Sequence, residues 1–159
     1  MDYEARLQEL GLVLPPSPKP IAAYIPAVRV GNLLFLSGII PSVNGTLPIV
    51  GKLGLELTVE QGREAARIAL LNALAVIKTE CGSLDAVKQI VRIAVHVASA
   101  SEFTDQSKVA DGASDLLVEI FGEKGRHARL SLGAVSLPVS APIELELIIA
   151  LYDPSPNKA

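Results

Sequence analysis

The chain has 159 residues, half of them hydrophobic and only 19% charged, which suits one folded domain and excludes intrinsic disorder. A net charge of −3, with no clustering of the 14 Lys and Arg, excludes a basic stripe for nucleic acid, and no apolar run approaches the ~20 residues of a membrane span. The single cysteine, Cys81, allows no internal disulfide, and the opening Met-Asp-Tyr-Glu-Ala-Arg lacks a secretory pattern, so a cytoplasmic setting is expected.

Residues 1–20 read as an arm: a short amphipathic piece from Tyr3 to Leu12, then Pro15-Pro16-Ser17-Pro18-Lys19-Pro20, whose fixed φ angles favour extended chain. A hairpin follows, Ile21 to Val30 and Leu33 to Gly38, joined by Gly31-Asn32 in a turn with glycine first. Pro26 lacks a donor and marks an edge or bulge. Pro41 to Gly54 holds Asn44-Gly45 and reads as a loop with room for a short strand.

Thr58-Val59-Glu60-Gln61 has capping-box spacing and predicts a helix running about 35 Å to Cys81, closed by Gly82. From Val87 to Ser99 the period changes to two, with Val91, Ile93, Val95 and Val97 on one face and Arg92, Ala94 and His96 on the other. Ser107 to Phe121 is helical again, with Gly122 at its end. Strands at Ala128–Leu137 and Ile143–Leu151 finish a domain over 21–153, leaving a tail at 154–159. The order predicts an α+β fold, helices on one face of a mainly antiparallel sheet.

In the last strand Ile143, Leu145, Leu147, Ile149 and Leu151 alternate with the mixed row Glu144, Glu146, Ile148 and Ala150. A row neither polar nor apolar, in a chain of mean hydropathy +0.42, suits a subunit interface. A hairpin turning near Ser140 would pair Glu144 with residues around Ser136 and leave Arg129 ~20 Å further along, so the two would share a pocket only across subunits.

Several motifs fail. Gly45 and Gly51-Lys52 are spaced by five residues where a P-loop has four, and Leu53 replaces its hydroxyl. No Gly-x-Gly-x-x-Gly opens a helix, His96 and His127 lack zinc spacing, and no Gly-x-Ser-x-Gly elbow occurs. What holds is a set of signatures in order: Tyr24, Gly31 and Ser37-Gly38-Ile39-Ile40-Pro41, then Ala128-Arg129, Leu137-Pro138 and Ile143-Glu144-Leu145-Glu146. Over residues 20–151 this resembles the RidA/YjgF family. The chain departs from that pattern at Ile39, where Gln is usual, and at Ser131, where Cys is common.

The resemblance implies a chorismate-mutase-like fold, a homotrimer with clefts between subunits, and hydrolysis of reactive 2-enamines and 2-imines to 2-keto acids and ammonia without a cofactor. The partners it implies are a small 2-imino or 2-keto acid and further copies of the chain, with neither nucleic acid nor membrane. On this reading the Arg129 fork grips the substrate carboxylate and Glu144 positions the attacking water. Tyr24, Ser37, Gly38 and Ser131 line the substrate, and His127 hydrogen-bonds a neighbour. The alternatives are an ordinary ion pair for Arg129 or Glu144, and a non-catalytic carboxylate-binding or signalling module using the same cleft.

Overall fold

A computed structural model describes residues 2–19 and 22–153; Pro20, the predicted strand start at Ile21 and the tail 154–159 lie outside the described residues. The elements are α1 (Tyr3–Glu9), β1 (Ala27–Val30), β2 (Leu33–Leu36), α2 (Val59–Cys81), β3 (Val87–Ala98), α3 (Gln106–Phe121), β4 (Ala128–Ala134) and β5 (Ile143–Leu151). The strands form one sheet in the order β1-β2-β5-β3-β4. Three pairings are antiparallel and β3–β4 is parallel.

The capping box forms as the sequence predicts. Thr58 Oγ1 accepts from the Gln61 amide at 3.3 Å while Gln61 Oε1 accepts from the Thr58 amide at 2.9 Å, satisfying two donors that a helix start leaves orphaned. Gly82 ends α2 in the left-handed conformation at φ 79°. Between these limits Ala65, Ala66, Ala69 and Ala73 are fully buried beside Leu70 and Leu74. α2 and α3 lie against one face of the sheet, where Ile143, Leu145, Leu147 and Ile149 of β5 are completely buried, each worth ~1.5–3 kcal/mol. The amino-terminal helix joins that core: Tyr3 and Leu7 are buried, and the Tyr3 ring packs at 4.6 Å on Phe121.

Among the described residues the opposite face carries no helix. Register pairs place Val28 beside Phe35, Phe35 beside Ile148, and His96 beside Glu144 there. Val28, Val30, Phe35 and Leu132 are substantially exposed on it.

Four expectations need correction. No β4–β5 hairpin forms, because β3 runs between the two strands, parallel to one and antiparallel to the other. The connection from β4 to β5 instead makes a short 3-10 turn at Pro138–Ser140 and steps over β3, and β4 ends at Ala134, short of Leu137. Register shifts at Val87/Gln89 and Ile90/Arg92 break the simple alternation of β3, so that Ile90 is buried and Val91 is turned outward. The first strand begins only at Ala27, immediately after Pro26, whose carbonyl accepts the Ser37 amide at 2.8 Å.

Candidate functional site

A cleft of about 540 Å³ opens beside the end of β2, walled by Tyr24, Ser37, Gly38, Ile40, Val50 and Val139. Its lining follows from local chemistry. Beyond β2 the Ser37 hydroxyl donates to the Ile25 carbonyl at 2.6 Å, which ties the Tyr24–Pro26 segment to the strand end. The loop beyond Gly38 is held from below by Asn72 of α2, a buried polar residue whose Nδ2 donates to the carbonyls of Ile40 at 3.1 Å and Ser42 at 2.9 Å. Both amide hydrogens of Asn72 are thereby used, which repays its burial. At the rim, Asn44 (φ 51°) and Gly45 (φ 81°) make a two-residue turn closed by reciprocal Val43–Thr46 backbone bonds.

Glu144 comes from β5 to Gly38, at the edge of the cleft and outside its lining residues. A Cβ added at Gly38 would stand 3.0 Å from Glu144 Cδ and 3.3 Å from its Cγ, with Oε1 nearer still. The absent side chain at position 38 is what gives the Glu144 carboxyl room beside the cleft. The far wall is strained: Val139 (φ 52°) and Ser140 (φ 60°) both occupy the left-handed region, where a β-branched residue is a genuine outlier. Such strain collects at sites where geometry matters.

Arg129 and Ser131 lie elsewhere. Both project from β4 toward the helix layer, since Arg129 is level with Ile93 and Ser131 with Val95. Arg129 Nη1 donates to Asp111 Oδ1 at 2.7 Å and to Ser114 Oγ at 3.1 Å, both on α3. Ser131 Oγ meets Ser107 Oγ at 3.2 Å. Within one chain Arg129 therefore makes the ion pair weighed above as its ordinary alternative, and it does not line the cleft. Glu144 is level with His96, three residues further along β3, on the opposite face. The two side chains are thus separated by about 10 Å along the strands and about 10 Å across them, through the sheet. Their separation comes from an intervening strand and opposed faces, where the sequence suggested the length of a hairpin.

The structure brings Tyr24, Ser37 and Gly38 together in the cleft, sets Glu144 against Gly38 behind that lining, and leaves Arg129 and Ser131 apart. Sequence reasoning missed Asn72, whose signal was a lone amide on the apolar stripe of α2. His127 has the neighbours expected of it, with Nε2 3.0 Å from Ser114 Oγ and Nδ1 2.6 Å from the Gly125 carbonyl. Burial pushes the Cys81 thiol up, the Arg29 charge opposing the rise and the Glu80 charge adding to it, which favours the protonated thiol. Among the described residues no cluster of three or more His, Cys, Asp or Glu could hold a metal ion, and no helix is long and apolar enough to cross a membrane.

Residues 4–151 match the profile of the family described as "YjgF/chorismate mutase-like, putative endoribonuclease". Protein TCP17 of Trypanosoma cruzi is 40% identical over 148 residues, covering 92% of each chain. A crystal structure from Shewanella oneidensis, under the same endoribonuclease designation, superposes with a TM-score of 0.92 at 38% identity, covering 95% of this chain and all of the other. A 2-iminobutanoate/2-iminopropanoate deaminase of Dermatophagoides farinae is 26% identical over 138 residues, 86% of this chain and 92% of its own.

Proposed function

The chain belongs to the YjgF/chorismate mutase-like family, and on that premise we propose that it hydrolyses 2-imino acids, and the 2-enamines that tautomerise to them, in clefts between the subunits of a homotrimer. The single observation that carries the intersubunit part is the opposition of Arg129 and Glu144 across the sheet. A pocket containing both needs Arg129 from one chain and Glu144 from the next. The exposed apolar side chains Val28, Val30 and Phe35, adjacent on β1 and β2, support the same reading, because a patch of that kind favours association. The deaminase relative supports the choice of substrate.

The chemistry asks little of the protein. Water adds to the C=N carbon, Glu144 accepts a proton from that water as the C–O bond forms, and the nitrogen collects protons and departs as ammonia, leaving the 2-keto acid. Arg129 holds the carboxylate through parallel hydrogen bonds from its planar fork, a geometry lysine lacks. Ser37, Gly38 and Tyr24 shape the wall against which the substrate lies, with Ser131 beside the guanidinium. Orientation of the reactants supplies most of the acceleration, since imines already hydrolyse in water. The reaction draws on no cofactor, and a reducing cytoplasm suits an unpaired Cys81. The acidic balance, 17 Asp and Glu against 14 Lys and Arg, weighs against tight binding of an RNA backbone.

The test is to generate 2-iminobutanoate in situ with a dehydratase and follow its decay. Wild type is expected to outpace buffer, Arg129→Ala to lose about 100-fold in kcat/KM, and Glu144→Gln to lose kcat with KM retained. A wild-type protein no faster than buffer overturns the reading.

A further inference from the structure

Arg129 is held by a directional chain of hydrogen bonds that runs through α3 and back to β4. It starts at the Gly125 carbonyl, which can only accept, so the His127 nitrogen 2.6 Å away, Nδ1, carries a hydrogen. In the neutral ring Nε2 is then an acceptor, and the hydroxyl that meets it at 3.0 Å, Ser114, must donate to it. With its hydrogen committed to His127, Ser114 Oγ turns a lone pair to Arg129 and accepts from Nη1 at 3.1 Å. Asp111 Oδ1 takes the second Nη1 hydrogen at 2.7 Å, and Asp111 is itself flanked by Arg63, whose Nη1 lies 3.8 Å from Oδ2.

Both hydrogens of Nη1 are therefore spent. Nε and Nη2 have no partner among the described residues, and together they form the one edge of the guanidinium still able to make two parallel bonds. Of the edges a free arginine can present, this network leaves a single choice.

We propose that Ser114 and His127 are positioning residues for Arg129: the neutral His127 with its hydrogen on Nδ1 sets the Ser114 hydroxyl, and with Asp111 the hydroxyl locks the guanidinium so that its Nε/Nη2 edge receives the substrate carboxylate. This rests on the reading of Arg129 as the carboxylate-binding group. Neither residue touches substrate; both act through Arg129. Their loss should appear in ligand affinity and leave the water-addition step at Glu144 intact.

The substitutions separate hydrogen-bond direction from bulk. Ser114→Ala and His127→Phe remove the acceptor for Nη1 or the group that orients it. Ser114→Thr keeps the hydroxyl. His127→Gln keeps an amide that can donate to the Gly125 carbonyl and accept from Ser114. We expect Ser114→Ala and His127→Phe to raise KM for the imine, and Kd for 2-oxobutanoate, about tenfold with kcat within twofold of wild type. Ser114→Thr and His127→Gln should restore KM to within about threefold. Nitrogen chemical shifts of His127 should report the Nδ1–H ring in wild type, independently of turnover. An unchanged KM in Ser114→Ala with the fold intact, a kcat loss as large as the KM change, or an Nε2–H tautomer would each overturn the proposal. Failure of the underlying reading shows separately, as wild type that neither hydrolyses the imine nor binds 2-oxobutanoate while the tautomer readout still tests the network.

Discussion

The two faces of this sheet are built from the same strands yet solve different problems. On the helix-covered face Leu145, Leu147 and Ile149 have no exposure, and the neighbouring layer contributes alanines that let α2 come close. On the other face, Glu146, Ile148 and Ala150 of the same strand are only half-buried and stand among exposed Val28, Phe35 and Leu132. The first face holds the chain together. The second is furnished with apolar area and a few charges, and the two proposed reactive groups divide between the faces, Arg129 on one and Glu144 on the other.

The comparison breaks most visibly if neighbouring residues of β5 respond alike. Leu147→Ala is expected to lower unfolding stability by about 2–5 kcal/mol, because a cavity opens under α2, whereas Ile148→Ala costs under about 1 kcal/mol in the isolated chain. Denaturant titration of both variants measures the difference; an equally large loss at Ile148 would break the contrast within the single chain and would report burial of the open face by the neighbouring subunits proposed above. Gly38→Ala comes next, at about 1 kcal/mol, since the new methyl makes the end of the Glu144 side chain turn aside. Adding Glu144→Ala should recover most of that loss, and a double-mutant cycle reads the coupling. Thr58→Ala removes half of the capping box and should cost about 1 kcal/mol through the helix layer alone, with the cleft unaffected. Smallest is Arg92→Ala on the open face. Its pairing with Glu146 spans 3.6 Å between exposed side chains, so the change should stay within about 0.5 kcal/mol and vanish in high salt.

Much of the helix-covered face was legible in the order of residues. The Thr58/Gln61 box, Gly82, and the strict alternation from Ile143 to Leu151 are short-range signals, and each produced its element where the spacing put it. The parallel pairing of β3 with β4 was not legible, because a proline-containing connection reads as a tight turn whether the chain doubles back or steps over a neighbour. The shifts in β3 were equally silent: nothing in Gln89-Ile90-Val91 distinguishes an extra residue from plain alternation.

Site legibility divides the same way. Ser37-Gly38 was visible as a small-residue strand end, yet the contact between Gly38 and Glu144 depends on β2 and β5 becoming neighbours, which only the assembled sheet reveals. Arg129 stood out as a fork for a carboxylate, but the acceptors that fix its Nη1, Asp111 and Ser114, come from helix positions with no distinguishing pattern. The histidine beside the arginine was visible as a hydrogen-bonding residue; its direction of donation was not.

The empty space at position 38 has a consequence for how this protein can vary. Because the Glu144 carboxyl occupies the volume that a side chain there would claim, the two positions are sterically coupled. A lineage that substitutes the glycine must turn the end of the Glu144 side chain aside or shorten it, so a side chain at 38 should go with a displaced or altered acid.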